Sequence, residues 1–320
     1  MALRKNRWLL AGFAALATTT TAALAEYPDR PVEVIVPFDP GGGADTSMRT
    51  FGKYAEALAG QAVVIVNKPG AGGAIGWAEF VRANPEGYVL TLETPPFNVI
   101  PPLTKPSATG YTLDQFQHIC IFASVPDVLL VREDSEFKTL QDLVDYAKAN
   151  PEKIKAANTG TLGADFMTTL LIEEKAGVKF TQVPFTGGSQ ALQGTLAGTT
   201  DMMVGGAIFA MAQKGKMRTL AIGAAERDPA IPDVPTFREL GFDIVSERFR
   251  ALAAPPGTSP EVIAYWDNIC AKVSENADYK NEMKEGGAPP VYHGSARATE
   301  MIGVMTDEMK ALVDKFKLAE

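Results

Sequence analysis

The residues best suited to binding chemistry form a glycine-rich segment near the start of the chain, at 37–46. It reads Pro-Phe-Asp-Pro-Gly-Gly-Gly-Ala-Asp-Thr and lies between a β-branched run and a run with helical periodicity. Glycines permit positive φ and bring no Cβ, so several main-chain N–H groups can point at one spot beside a helix N-terminus. The helix dipole favours a negative charge at that spot. We predict an anion-binding loop whose ligand contacts are Phe38, Gly41, Gly42, Gly43 and Thr46.

Three further loops follow the same order of strand, loop and helix. In parallel α/β sheets the ligand crevice lies beyond the carboxyl ends of the strands, so the loops at those ends open toward one side. One glycine cluster alone could be only a tight turn, whereas four at equivalent strand ends favour a ligand site. The ligand contacts predicted in these loops are Gly70, Ala71, Gly72, Thr159, Thr161, Gly187 and Gly188.

One charged side chain, Arg250, lies in an otherwise apolar stretch of a strand predicted over 244–254. A buried guanidinium is costly without an anionic partner. Two interpretations stay open. Arg250 forms an ion pair with a residue such as Glu247 or Asp201, or it receives a second ligand carboxylate at the far end of the ligand.

The elements that position these residues alternate strand and helix along most of the chain, which predicts an α/β fold. The segment 94–112 is rich in Pro and predicts an irregular surface excursion. Two strands are predicted after it, at 118–123 and 128–132, and the character of the chain changes around Pro126. We predict two lobes, each a mostly parallel sheet flanked by helices, with the ligand in the cleft between them. The first lobe is 26–126 with 252–320, and the second is 127–251.

The first 25 residues have the features of a secretory signal peptide. Three basic residues precede an apolar segment, and Ala23 and Ala25 fit the cleavage site, so the mature chain should begin at Glu26 in a bacterial periplasm. Removing three basic residues from 30 leaves 27 against 38 acidic ones, a net charge of −11. This balance argues against nucleic acid as a partner but allows a small anion in a pocket lined by amides. We expect a monomer.

The chain has two cysteines, Cys120 and Cys270. An oxidising compartment would allow them to pair. Cys120 falls in a predicted buried strand and Cys270 in a predicted amphipathic helix, and a free cysteine readily behaves as a small buried apolar residue. Two unpaired thiols are therefore the favoured interpretation, with a disulfide as the alternative.

Two classes of enzyme compete with the binding interpretation. Gly70 and Gly72 with Glu93 further on imitate a dinucleotide-binding fingerprint, but Ile75 stands where the third glycine would be. A secreted α/β hydrolase would need a Gly-x-Ser-x-Gly elbow, which does not accompany the only imidazoles, His118 and His293. We predict a non-enzymatic protein with no catalytic residues, no cofactor and no metal site.

Five motifs in combination resemble the Bug, or tripartite tricarboxylate transporter, family of substrate-binding proteins. They are spread over the mature chain and read Tyr27-Pro28-x-Arg30-Pro31-Val32, Val36-Pro37-Phe38-x-Pro40-Gly41-Gly42-x-x-Asp45, Asn67-x-Pro69-Gly70-Ala71-Gly72-Gly73, Val183-Pro184-Phe185-x-Gly187-Gly188 and Ala254-Pro255-x-Gly257-Thr258. The resemblance implies a two-lobed, type II periplasmic binding protein that delivers an organic carboxylate to membrane transporter subunits through transient contacts. It also implies that main-chain amides of the first-lobe loops hold the proximal carboxylate, often through bridging waters.

Two segments differ from the family pattern. Residues 249–252, Phe-Arg-Ala-Leu, resemble the Trp-Arg-Gly-hydrophobic return strand of the tricarboxylate-type members, with Phe for Trp and Ala for Gly. In the loop at 159–166 the family commonly has a glycine-rich run before a His, whereas Leu162 and Phe166 are apolar. Aliphatic di- or tricarboxylates and aromatic acids therefore both stay open as ligands.

Overall fold

The computed structural model describes residues 27–160 and 162–320. The predicted signal peptide, its cleavage site and Thr161 lie outside the described residues. The described chain begins with the predicted run of three strands and two helices: β1 (Val32–Val36), α1 (Gly43–Ala59), β2 (Val63–Asn67), α2 (Ala74–Phe80) and β3 (Val89–Glu93). β1 pairs in parallel with both β2 and β3. The loops that follow these strands therefore lie at one edge of the sheet.

The middle of the chain carries the second series of strands and helices. Thr139 begins one of these helices, because its side chain accepts a hydrogen bond from the N–H of Asp142, whose own carboxylate accepts from the N–H of Thr139. The elements are α3 (Ile100–Thr104), α4 (Pro106–Thr109), β4 (Gln117–Arg132), α5 (Leu140–Ala149), β5 (Lys155–Thr159), α6 (Ala164–Ala176), β6 (Thr181–Phe185), α7 (Gly188–Leu196), β7 (Met202–Gly206), α8 (Ala207–Ala212) and β8 (Met217–Ile222).

The last part of the chain returns to the first three strands. Its elements are β9 (Glu247–Ala254), α9 (Pro260–Glu275), α10 (Ala277–Glu285), β10 (Pro290–Gly294) and α11 (Ser295–Phe316). The strands form one mixed sheet in the order β2-β1-β3-β9-β4-β7-β5-β6, with β8 and β10 also paired to β4. Pairing is parallel among the strands toward both ends of this order and antiparallel around β4 and β9. The structure is thus an α/β fold, as predicted, with its antiparallel strands at the centre.

β4 is one continuous strand, and the prediction of two strands at 118–123 and 128–132 is wrong. Its first part, Gln117 to Pro126, pairs with β9. From Asp127 onward it pairs with β7 and β8. Pro126 has no N–H to donate, and it lies where β4 exchanges one partner for another, which is where a proline in a long strand is tolerated.

The apolar residues form separate clusters on either side of this crossing point. The largest cluster is built from strands and helices before Pro126 and after residue 252, with Trp266 and Phe51 among its members. Two others, around Leu129 and Val128, contain only residues between 128 and 244. Two smaller clusters mix the predicted lobes, since Ala164 packs with Phe97, and Phe249 with Ile121. The boundaries of the two lobes stay a prediction.

The segment 94–112 begins inside the protein, so its prediction as a surface excursion is wrong for its first half. Phe97 is buried and packs edge-on against Phe38, with ring centroids 5.7 Å apart. The carbonyl of Pro95 accepts a hydrogen bond from the N–H of Phe249 in β9 at 2.9 Å. The prolines therefore shape a buried connection between the first strands and the return strand.

Cys120 and Cys270 form a disulfide, so the favoured interpretation of two free thiols is wrong. Cys120 lies in β4 and Cys270 in α9, and their Cα atoms are 6.6 Å apart. The sequence separation of 150 residues hid this contact. α9 packs directly on β4, which brings the two thiols within bonding distance.

Within the described ranges, no helix is both long enough and apolar enough to cross a membrane.

Candidate functional site

A small cavity, which we call cavity 1, lies where the loop after β1 meets the starts of α7 and α8. Its volume is about 50 Å³. Gly42 and Gly43 line it from the predicted first lobe, and Gly188 and Gly206 line it from the second. Loops of both predicted lobes therefore face one shared cavity.

Three helices begin at cavity 1, namely α1, α7 and α8. They are preceded by Gly42, Gly187 and Gly206, and no side chain of the described residues caps any of the three. The first N–H groups of a helix have no acceptor within the helix, and the helix dipole is positive at that end. Cavity 1 is therefore surrounded by main-chain donors that suit an anion.

Arg248 of β9 also lines cavity 1 and is held by two buried carboxylates. Its guanidinium donates to Asp127 of β4 and, at 2.7 Å, to Asp165 of α6. Asp127 also accepts hydrogen bonds from the hydroxyls of Thr168, at 2.8 Å, and Ser246, at 2.6 Å. This network fixes β9 relative to β4 and α6. Arg248 therefore has its counter-ions, Asp127 and Asp165, within the protein.

Arg250 lies two residues along the same strand, lines the same cavity and has no such partner. It is 4% exposed. The one hydrogen bond that its side chain makes to the described residues goes to the carbonyl of Phe249, at 3.4 Å. Burial, together with the positive charge of Arg248, lowers the pKa of Arg250 to about 9. The guanidinium is thus a buried cation that an anion in cavity 1 would stabilise.

Neither ion pair that the sequence suggested for Arg250 is formed. Glu247 accepts a hydrogen bond from the hydroxyl of Ser124. Asp201 accepts one from the N–H of Lys155 at 2.8 Å. Both carboxylates are engaged elsewhere, so neither partner that the sequence suggested forms an ion pair with Arg250.

Three of the residues that line cavity 1 have a buried side-chain atom with no hydrogen-bond partner among the described residues. These atoms are Nε of Arg248, Nε of Arg250 and Oγ1 of Thr94. All three can donate a hydrogen bond. Since buried polar groups are nearly always paired, their convergence indicates a site that an acceptor group completes.

Asp39 is the acidic residue that faces cavity 1. Its half-buried carboxylate has no hydrogen bond or ion pair with any described residue, and it lies close to the backbone of Gly187 in the other predicted lobe. An unpaired carboxylate and the unpaired guanidinium of Arg250 therefore line one small space.

A second cavity, cavity 2, adjoins the first. Its volume is about 420 Å³, and Phe97 and Thr159 line both cavities. Apolar side chains dominate its walls, including Ala74, Ala108 and Leu162. Together the two cavities run between the predicted lobes along the carboxyl ends of the strands.

The structure distributes the predicted ligand contacts over these two cavities. Cavity 1 is lined by Phe38, Gly42, Gly43, Thr159, Gly188 and Arg250. Cavity 2 is lined by Ala71, Gly72 and again Thr159. The predicted contacts Gly41, Thr46, Gly70 and Gly187 line neither cavity, and Thr161 lies outside the described residues.

Two of these glycines have a positive φ that favours glycine. Gly41 has φ 75°, the positive value expected of a glycine turn, and its N–H donates to the carboxylate of Asp45 at 2.8 Å. Gly70, at φ 131°, likewise needs to be glycine. Gly42 is different, because its φ of −75° is open to any residue. An added Cβ at Gly42 would lie 3.3 Å from the carbonyl oxygen of Asp39, a tight contact with the backbone, and 3.5 Å from Oγ of Ser189.

Sequence reasoning missed Thr94, Asp39 and the anchored arginine, Arg248. A signal for Arg248 was present, since side chains alternate along a strand and residues 248 and 250 must share one face. Asp127 and Asp165 carried no comparable signal, because each lies far from Arg248 in the sequence.

Comparisons with known proteins identify the family of the chain. A sequence profile described as "Tripartite tricarboxylate transporter family receptor" matches residues 48–318. The chain is 29% identical over 316 residues to "UPF0065 protein in gbd 5'region" of Cupriavidus necator, which covers 98% of this chain and 96% of that protein.

Two solved structures are similar over nearly their full length. The periplasmic binding protein BugD aligns with a TM-score of 0.85 and 27% identity, over 92% of this chain and 99% of that one. MatC from Rhodopseudomonas palustris, solved with bound malate, aligns with a TM-score of 0.82 and 26% identity, over 90% and 100% of the two chains. The chain therefore belongs to the receptor family of the tripartite tricarboxylate transporters, the Bug group of periplasmic solute-binding proteins.

Proposed function

We propose that this solute-binding protein captures an organic carboxylate in cavity 1 and delivers it to the membrane subunits of a tripartite transporter. The observation that carries the proposal is the convergence of unpaired donors from Thr94, Arg248 and Arg250 on one cavity. A carboxylate has two oxygens that accept charge-assisted hydrogen bonds, and the uncapped helix starts favour its charge. The malate bound to MatC supports a carboxylate as the ligand class.

The arrangement favours one carboxylate in cavity 1. A cavity needs a volume of roughly 10–15 Å³ to hold one water molecule. The volume of cavity 1 is about 50 Å³. That is room for one carboxylate with its first carbon atoms. Arg250 and the glycine loop at Gly42 and Gly43 then bind the same carboxylate, whereas the sequence had suggested that Arg250 binds a second one at the far end.

A thermal-shift screen of carboxylic acids tests the proposal. A ligand at 100 times its Kd should stabilise the folded protein by about 2.7 kcal/mol. The amide of an active acid should give no shift, because it lacks the negative charge. A screen in which no acid stabilises the protein, or in which amides act like acids, would refute the proposal. We expect the ligand to be recovered unchanged, since proteins of this family bind substrates.

The disulfide between Cys120 and Cys270 supports export to an oxidising compartment. We propose that the protein works in the periplasm as a monomer after removal of residues 1–25. Intact mass of periplasmic material would test the predicted start at Glu26.

A second candidate is an α-amino acid, and Asp39 is the observation that favours it. An amino acid would place its carboxylate near Arg250 and its ammonium group near the unpaired carboxylate of Asp39. The two classes differ in how they respond to this residue, since Asp39 repels a simple carboxylate and attracts an ammonium group.

Replacing Asp39 by Asn should therefore separate the two candidates. We expect binding of 4-methylpentanoate to strengthen by on the order of 1 kcal/mol, because a like charge is removed from the cavity. Leucine is 4-methylpentanoate with an added ammonium group, and it should bind weakly to both the native protein and the variant. Titration calorimetry with both ligands measures the effect, and Asp233→Asn, an exposed carboxylate outside both cavities, is the control. Tight leucine binding that the Asn variant loses would establish the amino acid instead.

Replacing Gly43 by Ala should weaken ligand binding through the contact between the lobes. An added Cβ would lie 2.6 Å from Cγ2 of Ile208. This methyl group is attached to a branched Cβ, whose χ1 rotation is restricted in a helix. Overpacking of this kind costs about 1–3 kcal/mol, which calorimetry would detect as a fall in affinity of roughly 5- to 150-fold. Small-angle X-ray scattering at saturating ligand would show whether the lobes still come together.

The double variant Gly43→Ala with Ile208→Ala is the matched test, since it removes the atom that clashes. Its affinity should recover toward that of the native protein. Gly41→Ala is a further control, because its Cβ meets no atom within 4 Å. At φ 75° it should lower the free energy of unfolding by about 1–2 kcal/mol without changing affinity. Equal losses of affinity in Gly41→Ala and Gly43→Ala would contradict the contact argument.

A further inference from the structure

Cavity 2 is larger and more apolar than a binding site for a single carboxylate group needs to be. Its volume of about 420 Å³ compares with the roughly 150 Å³ of an apolar cavity that holds benzene. Ala74, Ala108, Leu162 and Phe185 contribute apolar surface to its walls. Such a cavity suits a hydrocarbon group of up to about two rings.

The two cavities adjoin at Phe97 and Thr159, which line both. Phe97 comes from the predicted first lobe, and its ring would lie 3.3 Å from a Cβ on Gly163 in the second. The absence of a side chain at Gly163 keeps space beside this ring. A ligand whose carboxylate lies in cavity 1 can therefore extend past Phe97 into cavity 2.

The far end of such a ligand meets no free cation among the described residues. Lys105 is the charged residue that lines cavity 2, and its ammonium group already pairs with Glu320. Its side chain is also 40% exposed, so water competes for its charge. Cavity 2 thus lacks the buried, unpaired cation that Arg250 provides in cavity 1.

We propose that the ligand is a monocarboxylate with an extended apolar tail, aliphatic or aromatic, and that cavity 2 binds this tail. The inference rests on the proposed function, because cavity 1 must hold the carboxylate. It narrows the ligand class, since a dicarboxylate would place its second charge in a cavity whose walls are mostly apolar and whose charged residue, Lys105, is already paired.

Titration calorimetry with propionate, hexanoate, 4-phenylbutanoate and adipate tests the inference on the native protein. Each buried methylene should tighten binding by roughly fourfold. Hexanoate should therefore bind at least tenfold more tightly than propionate, and 4-phenylbutanoate more tightly still. Adipate matches hexanoate in carbon count and should bind at least tenfold more weakly than hexanoate.

A pair of neighbouring variants tests the position of the tail. Ala108→Trp fills part of cavity 2, whereas Ser107→Trp adds the same side chain one residue away, outside both cavities. We expect the first variant to weaken 4-phenylbutanoate at least tenfold and to leave propionate within twofold. The second should change neither acid.

The outcomes also separate this inference from the proposed function. If short and long acids bind with equal affinity, or adipate binds as tightly as hexanoate, the tail site is refuted while carboxylate capture stands. If none of the acids binds, the proposed function fails and the inference fails with it. An equal loss for both acids in Ala108→Trp would refute the placement of the tail in cavity 2.

Discussion

Replacing Arg250 by Met should weaken carboxylate binding and stabilise the unliganded protein at the same time. The guanidinium is buried and forms no ion pair with any described residue, although the carboxylates of Asp127 and Asp165 attract it from a longer distance, and the ligand would supply a direct partner. Loss of one partner from a buried charge pair costs about 2–5 kcal/mol of binding free energy. An apolar side chain of similar length removes an unpaired buried charge, which we expect to raise the free energy of unfolding by about 1–3 kcal/mol.

The opposite signs of the two effects make this variant informative. Calorimetry measures the affinity, and urea denaturation without ligand measures the free energy of unfolding. Arg227→Met is a matched control, since Arg227 forms an exposed ion pair with Glu239, worth about 0–1 kcal/mol. If Arg250→Met lowers the stability of the unliganded protein and leaves affinity unchanged, Arg250 is a structural residue.

Replacing Arg248 by Met should instead destabilise the fold. This change leaves Asp127 and Asp165 buried without their cation, although both lie within the core of the protein. Breaking a buried ion pair by removing one partner costs about 3–5 kcal/mol. Urea denaturation at constant pH would show this loss as a lower free energy of unfolding.

The loss of folding stability in Arg248→Met should be larger at high pH than at low pH. Burial raises the pKa of Asp165, and Arg248 acts against that rise, so the pKa should rise further in the variant. The folded state then holds a proton more tightly than the unfolded state. Stability is therefore lost as the pH increases through the raised pKa and is regained as it falls toward the ordinary value.

We expect the difference between Arg248→Met and the native protein to be smaller at pH 5 than at pH 8. In the double variant Arg248→Met with Asp165→Asn, one of the two unpaired carboxylates is removed. Part of the lost folding stability should therefore be recovered at pH 8. A loss below 1 kcal/mol, or one that is equal at both pH values, would show that the network does not stabilise the protein in this way.

Much of the fold was predictable because it depends on local patterns. β-Branched runs followed by glycine loops and helical periodicity indicated the strands and helices of both predicted lobes, and β1 pairs in parallel with β2 and β3 as expected. Arg250 was recognisable because it is the one charge among the apolar residues 249–254, and a buried charge there needs an anion. The segment 94–112 was misread because its prolines suggested exposure, whereas contacts with Phe38 and Phe249 bury its first half.

The sequence by itself determined the α/β class, the glycine loops and the presence of a buried cation, because periodicity and backbone chemistry act over a few residues. Only the tertiary structure decided that Cys120 bonds to Cys270, that Arg248 is neutralised while Arg250 is not, and that the site divides into two cavities. Each of these depends on contacts between residues that are distant in the sequence. The pairing of β9 with β4 brings Arg248 to Asp127, 121 residues away, and no local pattern specifies which charge finds a partner there.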